Sequence, residues 1–573
     1  MDYRWFHTLL RIAVAVMAVT SPSAAQQSAR IAPADILILH AKVYTLNPQM
    51  PWAQAVAIRH GKIVAVDRDE VVGKMRGIGT HVIDAGGKLV LPGFTDCHVH
   101  FLEGSVALGQ VSLDGLTTIE EIQKRLKQYA AEHPGNSWIL GRGWNYAVFG
   151  EVALPDKRYL DELFPDRPVF LEGYDGHSTW VNSKALALAG VNKNTPDPKN
   201  GFIVHDPATG EPTGALKEDA DSLITGVIPK LEDVDKLKAL RAGIKWANQN
   251  GITRVHSAGG DFELLPLLAE LRQDKQLTVR FYVSYRLDAY ELRQEDLVAI
   301  ESARKKYHDA WIDAGAVKMM LDGVVETHTA ALLAPYSDQP TTQGAIFWEL
   351  PKYQYAVREL DKRGIQLFTH AVGDYAVRTA LDTYRMAQQQ NHTKGARPRI
   401  EHVETIEPSD IARFGKLGVI ASMQPLHSYP DADTLDVWAR NLGPDRAGRA
   451  WVWKSISEDG GRYAFGSDWP IVTLNPWEGV ETAVTRQTQD GKPAGGFVPS
   501  QRLSVPEAVA GYTINAAYAG RREQSEGSIE TGKVGDIIIV DRNIFEIDPH
   551  GIGETKVQIT IAGGKIVYEA ENN

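Results

Sequence analysis

The chain has 573 residues, with 43% hydrophobic and 23% charged residues, which is typical of a folded protein with two or three core units. The formal net charge is −11, and Lys and Arg are scattered rather than gathered in a basic stripe. This distribution argues against nucleic-acid binding. The single cysteine, Cys97, excludes a disulfide within the chain.

Residues 1–25 have the composition of a cleavable export signal. Arg4 and Arg11 precede the apolar run IAVAVMAVT, and Ser23 and Ala25 give a small-x-small pattern that predicts cleavage near Ala25. The run is shorter than the roughly 20 residues that a spanning helix needs. We therefore expect an exported, periplasmic protein without stable membrane insertion; a retained anchor is the alternative.

Beyond this signal, the sequence pattern at both ends of the chain predicts short strands. DILILHAKVYTL and AQAVAIRHGKIVAVD lie near the start, and VGDIIIVD and VQITIAGGKIVYE lie near the end. AGGK followed by an apolar strand occurs at both ends. Because isolated terminal strands would expose their edges, residues 33–88 and 525–571 are predicted to form one composite β-sandwich domain.

Between the ends, short apolar runs alternate with amphipathic helical patterns. Strand–helix units repeated eight times predict an α/β fold, a distorted (β/α)8 TIM barrel, over residues 89–103 and 241–524. The long gap at residues 104–240 predicts an α/β insertion over the active site, after the first barrel strand. The eight runs are 88–100, 251–260, 278–286, 316–323, 365–374, 399–404, 418–425 and 462–468.

Metal-ligating residue types recur at the ends of these runs. His98 and His100 in LPGFTDCHVH lie on one face of a strand, because strand side chains alternate. His370, His402 and Asp468 end three later runs. Any one histidine alone is more often a satisfied polar residue than a ligand. Together at one barrel mouth, imidazoles and a carboxylate predict a site for Zn²⁺ or a neighbouring transition metal.

Several long motifs in order resemble the amidohydrolase superfamily, in particular its family 3 branch of YtcJ-like proteins and N-substituted formamide deformylase. The resemblance covers residues from about 35 to 565. It is carried by PGFTDCHVH, THAVGD, EHVE, GSDWP, GRGWN, DGHSTWVNSKAL, NGFIVHDPATGEPTGALKE, VKMMLDGVVETHTA, SMQP, FGSDWPIVTLNPW and TINAAYAG.

The resemblance implies a divalent-metal site of one or two ions. His98 and His100 would hold the more buried ion, and His370 and His402 the more exposed one. Asp468 would contact the first ion and carry protons. Lys318 would be carbamylated and bridge both ions, as a catalytic and metal-binding residue. The alternative is an unmodified Lys318, paired for example with Asp322, and a single ion.

This site implies hydrolysis of a C–N bond, of amide, N-acyl or N-formyl type, in a small molecule. Hydroxide generated at the metal would attack, and Asp468 would shuttle the proton. The same site could serve an ester, lactone or carbamate, because fold does not fix function. A third hypothesis is a non-catalytic exported binding protein. Metal identity, the substrate and a homodimeric state are left open.

Substrate contacts are expected from the insert and from loops after the barrel strands. Dense tryptophans there indicate an apolar or aromatic substrate group, with core packing as the alternative for each. The predicted substrate-binding residues are His177, Trp144, Trp180, Asn182, His328 and Gln424.

Overall fold

A computed structural model describes residues 32–152, 154–260, 262–287 and 289–571. The predicted export signal, residues 1–25, lies outside the described residues and stays a prediction. Within the described ranges, no helix combines the length and apolar character that crossing a membrane requires.

The described chain has strand-rich segments at both ends and alternating strands and helices in the barrel between them. The strands are β1 (Ile36–Leu39), β2 (Lys42–Tyr44), β3 (Trp52–Ala53), β4 (Ala55–Arg59), β5 (Lys62–Asp67), β6 (His81–Asp84), β7 (Leu89–Pro92), β8 (Phe94–Val99), β9 (Val111–Ser112), β10 (Ile139–Trp144), β11 (Val169–Gly173), β12 (Ser178–Val181), β13 (Gly201–His205), β14 (Pro212–Glu218), β15 (Ile252–Ser257), β16 (Arg280–Arg286), β17 (Ile312–Met320), β18 (Gln366–Ala371), β19 (Arg399–His402), β20 (Ile420–Met423), β21 (Arg462–Phe465), β22 (Ile537–Val540), β23 (Val557–Ala562) and β24 (Lys565–Glu569). The helices are α1 (Asp69–Val72), α2 (Phe101–Ala107), α3 (Ile119–Glu132), α4 (Arg158–Asp161), α5 (Ser183–Ala189), α6 (Ser222–Thr225), α7 (Asp233–Gln249), α8 (Leu264–Gln273), α9 (Gln294–Lys306), α10 (Leu350–Lys362), α11 (Asp374–Asn391), α12 (Pro408–Leu417), α13 (Ala439–Leu442), α14 (Pro444–Ala447), α15 (Trp453–Glu458), α16 (Pro476–Thr485), α17 (Val505–Gly511) and α18 (Ile514–Ala519).

Eight parallel strands form the central sheet in the order β8-β15-β16-β17-β18-β19-β20-β21. The two end strands meet just beyond β21, where the Asp468 amide donates to the His98 carbonyl at 2.6 Å. The His100 amide donates to the Trp469 carbonyl at 2.7 Å, which joins the same two segments. The predicted distorted (β/α)8 barrel is confirmed, and Asp468 lies at its closing seam.

The first apolar run is two strands rather than one. β7 pairs with β2 and β22 in a terminal sheet, and only β8 enters the barrel. The chain changes sheet at Gly93, where an added Cβ would lie 2.5 Å from the Thr253 side chain. The placement of residues 89–92 in the barrel is therefore wrong, because an apolar run does not show which sheet it joins.

Two further sheets hold the strands near the two ends of the described chain, and the six-stranded one combines strands from both ends. One has the order β5-β4-β1-β6, and the other has the order β24-β23-β22-β7-β2-β3. Buried aliphatic side chains fill the space between them, among them Ile38, Val56, Ile537 and Ile561. These sheets are the small β-sandwich that both termini predict.

The insertion forms its own sheet, β13-β14-β12-β11-β10-β9, between β8 and β15. Helix α3 begins with a capping box in which Thr118 and Glu121 satisfy each other's backbone amides. Ile122 and Leu126 on its buried face pack on this sheet. Helix α7 then returns the chain to the barrel by packing against α2. The insertion thereby covers the end of the barrel where β8 terminates.

Candidate metal centre

A cavity of about 1100 Å³ opens at the carboxyl ends of the barrel strands. Catalytic residues of such barrels lie at this end. Among the predicted metal-site residues, the cavity is lined by His100, Lys318, His370, His402 and Asp468. His98 is fully buried beneath them.

The first group of ligand atoms joins β8 to the segment after β21. Asp468 Oδ1 lies 3.3 Å from His98 Nε2 and 3.2 Å from His100 Nε2. The His-x-His spacing brings both imidazoles to one side of β8, as predicted. Burial and the nearby Lys318 lower the pKa of His98 to about 4, so this imidazole is neutral, the form that binds a metal.

The second group shares the same carboxylate. Asp468 Oδ2 lies 3.7 Å from His402 Nδ1 and 3.7 Å from His427 Nε2. The rings of His402 and His427 stack with an interplanar angle of 6°. His427 follows β20, and its role as a ligand candidate was missed from the sequence. The adjoining SMQP motif indicated only that His427 follows a strand.

His370 stands next to this group without joining it through Asp468. Its ring centroid lies 4.5 Å from that of His402, and its Nε2 lies 3.2 Å from the Gly323 carbonyl. Its Nε2 also lies 3.7 Å from Asp322 Oδ1. The structure thus brings His370 to the centre, while its ligand role stays a prediction.

Lys318 lies at the base of the centre. Its Nζ is 3.4 Å from His98 Nε2, and burial lowers its pKa to about 8. Asp322 does not pair with Lys318. Its carboxylate instead accepts hydrogen bonds from the amides of Ala331, Val372 and Gly373. A buried lysine with a lowered pKa is therefore directed at the ligand cluster.

A fully buried network supports His98 from behind. His98 Nδ1 lies 2.6 Å from Glu401 Oε2, and Arg399 donates two hydrogen bonds to the same carboxylate at 2.8 and 2.9 Å. Although burial opposes it, Arg399 lowers the pKa of Glu401 to about 2. This carboxylate fixes the tautomer that leaves His98 Nε2 free to bind. The EHVE motif contained Glu401, but the sequence did not show its contact with His98.

The donor set fits a divalent cation. Asp468 Oδ1 is a buried carboxylate oxygen without a hydrogen-bond partner among the described residues, although two imidazole nitrogens flank it. Both groups bring their ligand atoms within 4.8 Å of one another. Imidazole nitrogen and carboxylate oxygen are the ligands of zinc and related metals. The residues present thus fit the metal that the histidine pattern predicts.

Two residues of the centre have backbone conformations that L-amino acids rarely adopt. φ is +75° at His402 and +63° at Asp468. Such positive φ values cost of order 1–3 kcal/mol and concentrate at functional sites. The strand ends are therefore held in strained turns that direct both side chains into the cavity.

The predicted substrate residues divide into two sets. His177 lines the cavity, and its Nδ1 lies 2.7 Å from Glu218 Oε2. Gln424 contacts a predicted ligand, since its Oε1 lies 2.9 Å from His402 Nδ1.

The other four lie away from the cavity lining. The Trp144 and Trp180 indoles donate to the carbonyls of Leu171 and Asp156 inside the insert. Asn182 caps α5, and His328 contacts Asp338. These are packing and capping contacts, and they give no support to direct substrate binding. Trp469, which follows β21, does reach the cavity lining.

The chain is similar to known proteins over most of its length. Residues 81–568 match the model of the amidohydrolase family. The chain is 32% identical to the protein LONG AFTER FAR-RED 3 of Arabidopsis thaliana, over 93% of this chain and 92% of that protein. It is 30% identical to the putative amidohydrolase YtcJ of Bacillus subtilis, over 92% and 98%. It is 28% identical to N-substituted formamide deformylase of Arthrobacter pascens, over 93% and 98%.

Among solved structures, a metal-dependent hydrolase from Pyrococcus horikoshii superposes with a TM-score of 0.71. It has 24% identity and covers 90% of this chain and 99% of its own, which supports the fold. Barrel and site together define a hydrolase that binds a divalent metal and acts on a small molecule. The chain belongs to the amidohydrolase family.

Proposed function

We propose that this protein hydrolyses an amide-type C–N bond, N-acyl or N-formyl, of a small molecule, with Asp468 as the proton carrier. The observation that supports the proposal best is the position of Asp468. Its two oxygens face both groups of candidate ligands, and its side chain lines the cavity that a substrate would enter.

His98, His100, His370 and His402 would hold the metal, for which zinc suits this donor set best, with Asp468 as the carboxylate ligand. When bound, a divalent cation acidifies water and polarises a carbonyl group. Asp468 is kept as a carboxylate: although burial alone would raise its pKa, the imidazoles around it, with a hydrogen bond from His100, hold the pKa well below its usual range. In this form Asp468 can accept a proton from water and pass it to the leaving nitrogen.

Carbamylation of Lys318 forms part of the proposal. Carbamates form on neutral amines, and burial moves the pKa of Lys318 towards neutrality. The Lys318 amine lies 3.4 Å from His98 Nε2, so a carbamate formed on it would add carboxylate-like oxygens beside a candidate metal ligand. The alternative of one ion and an unmodified lysine predicts a mass spectrum without this adduct.

The choice of an amide-type bond draws on relatives. N-substituted formamide deformylase is named for action on a formamide, and YtcJ is named a putative amidohydrolase. The two relatives cover more than nine-tenths of this chain. An ester, lactone or carbamate would use the same residues, so the test must compare bond types directly.

The test is hydrolysis of matched substrates by the metal-loaded protein. N-formyl and N-acetyl amines are compared with esters and carbamates of the same substituent, and with Asp468→Asn as the inactive control. The proposal expects amide turnover that Asp468→Asn lowers by about 10²–10⁴-fold. Turnover of esters but not amides would show that the protein hydrolyses an ester bond rather than an amide-type bond. Absence of turnover with all classes would favour a binding protein.

A further inference from the structure

One side of the cavity carries a concentration of carboxylates beside the metal centre. We call it the acidic wall, and it consists of Asp175, Glu326, Glu404, Asp431 and Asp433. It begins at His427, whose Nε2 lies 3.7 Å from Asp468 and whose Nδ1 lies 3.4 Å from Glu404 Oε1. One imidazole therefore separates the acidic wall from the proposed proton carrier.

Four members of the acidic wall lie near a single phenol, that of Tyr174. Tyr174 donates its hydroxyl to Glu326 Oε1 at 3.0 Å. Burial raises the pKa of Tyr174, and the charges of Glu326, Asp433, Asp175 and Asp431 raise it further. Four carboxylates thus lie within electrostatic range of one hydroxyl group, which identifies them as one cluster.

No Lys or Arg of the described chain forms an ion pair with any member of the acidic wall. Glu404 has its contact with His427, and Asp175 accepts a hydrogen bond from the Tyr146 hydroxyl at 2.8 Å. Among the cationic side chains of the cavity lining, Arg142 pairs with Glu103, and Lys318 lies at His98. Among the described residues, the acidic wall is therefore contacted by imidazoles and hydroxyl groups rather than by Lys or Arg. Burial raises the pKa of Asp433 to about 7, and a cation bound beside it would favour the charged form.

The strongest sign of a binding position in the acidic wall is Asp433. It is 3% exposed and lines the cavity. Its Oδ1 accepts from the Ala147 amide at 3.0 Å, while its Oδ2 has no hydrogen-bond partner among the described residues. A buried carboxylate oxygen without a partner costs free energy that a donor would recover. Asp433 also begins a π-helical segment, Asp433–Trp438, a form that is frequent at functional sites.

We propose that the acidic wall binds a protonated amine or guanidinium group of the substrate, with that cation donating to Asp433 Oδ2. The scissile C–N bond would then lie at the metal centre, on the other side of His427. The inference rests on the proposed function for the identity of the reacting bond, whereas cation binding itself does not depend on hydrolysis. Trp144 and Trp180, which the sequence suggested for substrate contacts, pack inside the insert and take no part in this site.

The experiment measures binding without turnover. The probes are methanesulfonamides, which resist hydrolysis: N-(4-aminobutyl)-, N-pentyl- and N-(3-carboxypropyl)methanesulfonamide, whose tails are cationic, neutral and anionic. Their dissociation constants are measured by calorimetry on the metal-loaded full chain. Variants are Asp433→Asn, which keeps the hydrogen bond from Ala147, and the exposed Asp431→Asn. The matched control is Asp114→Asn, a cavity-lining aspartate outside the acidic wall.

We expect the ammonium probe to bind at least tenfold more tightly than the pentyl probe, and the carboxylate probe most weakly. Asp433→Asn should remove most of this preference, Asp431→Asn should reduce it severalfold, and Asp114→Asn should leave it unchanged. Equal affinities for the three tails would overturn the inference. Displacement of the ammonium probe by Ca²⁺ at the acidic wall, abolished in Asp433→Asn, would instead assign a cation site to it.

The two proposals fail in different ways. If the ammonium probe is preferred but no amide, ester or carbamate is hydrolysed, the acidic wall stands and the hydrolytic function fails. If amides are hydrolysed at equal rates whatever the charge of their tails, the hydrolytic function stands and the acidic wall has no role in substrate choice.

Discussion

Glu401 Oε2 lies 2.6 Å from His98 Nδ1 in a fully buried pair that Arg399 completes. Removing the charge of Glu401 should therefore weaken metal binding without touching a ligand. We expect Glu401→Gln to lower metal affinity by about 10–100-fold, since supporting carboxylates have effects of this size. Competition with a chelator measures it. Glu523→Gln, which alters a peripheral pair with Arg397, is the control and should bind metal as the wild type does.

Asp468→Asn keeps the size of the side chain but removes its ability to accept a proton. Since both groups of candidate ligands retain their histidines, metal content should stay close to that of the wild type while kcat falls by about 10²–10⁴-fold. Elemental analysis and steady-state kinetics on the same preparation give the two values. A variant with undiminished kcat would show that Asp468 is not the proton carrier.

The bridging role proposed for Lys318 has a mass signature. The wild-type peptide that contains Lys318 should carry one extra carboxyl group, and the intact protein should bind two metals. Lys318→Gln cannot be carbamylated and should bind about one. Metal content that is the same in both proteins would contradict the bridge.

The contact of His177 with Glu218 predicts a pH dependence of stability. Burial opposes it, but the charge and hydrogen bond of Glu218 raise the pKa of His177 to about 9 from 6.5. A raised folded-state pKa stabilises the fold fully below pH 6.5, and this stabilisation is lost as pH rises through 9. His177→Gln should thus lower the free energy of unfolding by about 1–3 kcal/mol at pH 6 and by less at pH 10. Denaturant titrations that give the same difference at both pH values would refute this.

Close backbone packing at the barrel seam predicts the effect of a single methyl group. A Cβ on Gly466 would lie 2.4 Å from the His98 amide nitrogen. Gly466→Ala should therefore destabilise the protein by about 1–3 kcal/mol, as overpacking does. Gly73→Ala is the matched control, because Gly73 has helical φ and ψ and nothing within 4 Å of the added atom. It should leave the midpoint of thermal unfolding unchanged or raise it slightly.

The sequence predicts the barrel well because its strands are mostly buried apolar runs separated by amphipathic helices. It places His98, His100, His402 and Asp468 together because parallel strands end at one face. It does not show that β7 and β8 belong to different sheets, since an apolar run does not reveal which sheet it joins.

The sequence is least informative about contacts between distant segments. Glu401 reaches His98, and Asp433 reaches the cavity, only through the tertiary fold. Trp144 and Trp180 of the insert show the converse: the abundance of tryptophan suggests a binding surface, but these two indoles donate to backbone carbonyls inside the insert. Large aromatic side chains are buried for packing as often as for recognition, and composition alone does not distinguish the two.

The most direct test of the account is metal content per chain, measured by elemental analysis on protein purified without chelators. Wild-type protein is compared with the double variant His98→Asn/His100→Asn. A metal centre held by His98 and His100 predicts at least one divalent metal per wild-type chain and its loss in the double variant. A wild-type chain that contains no metal, and takes up none when zinc, manganese, iron or cobalt is added, would contradict it.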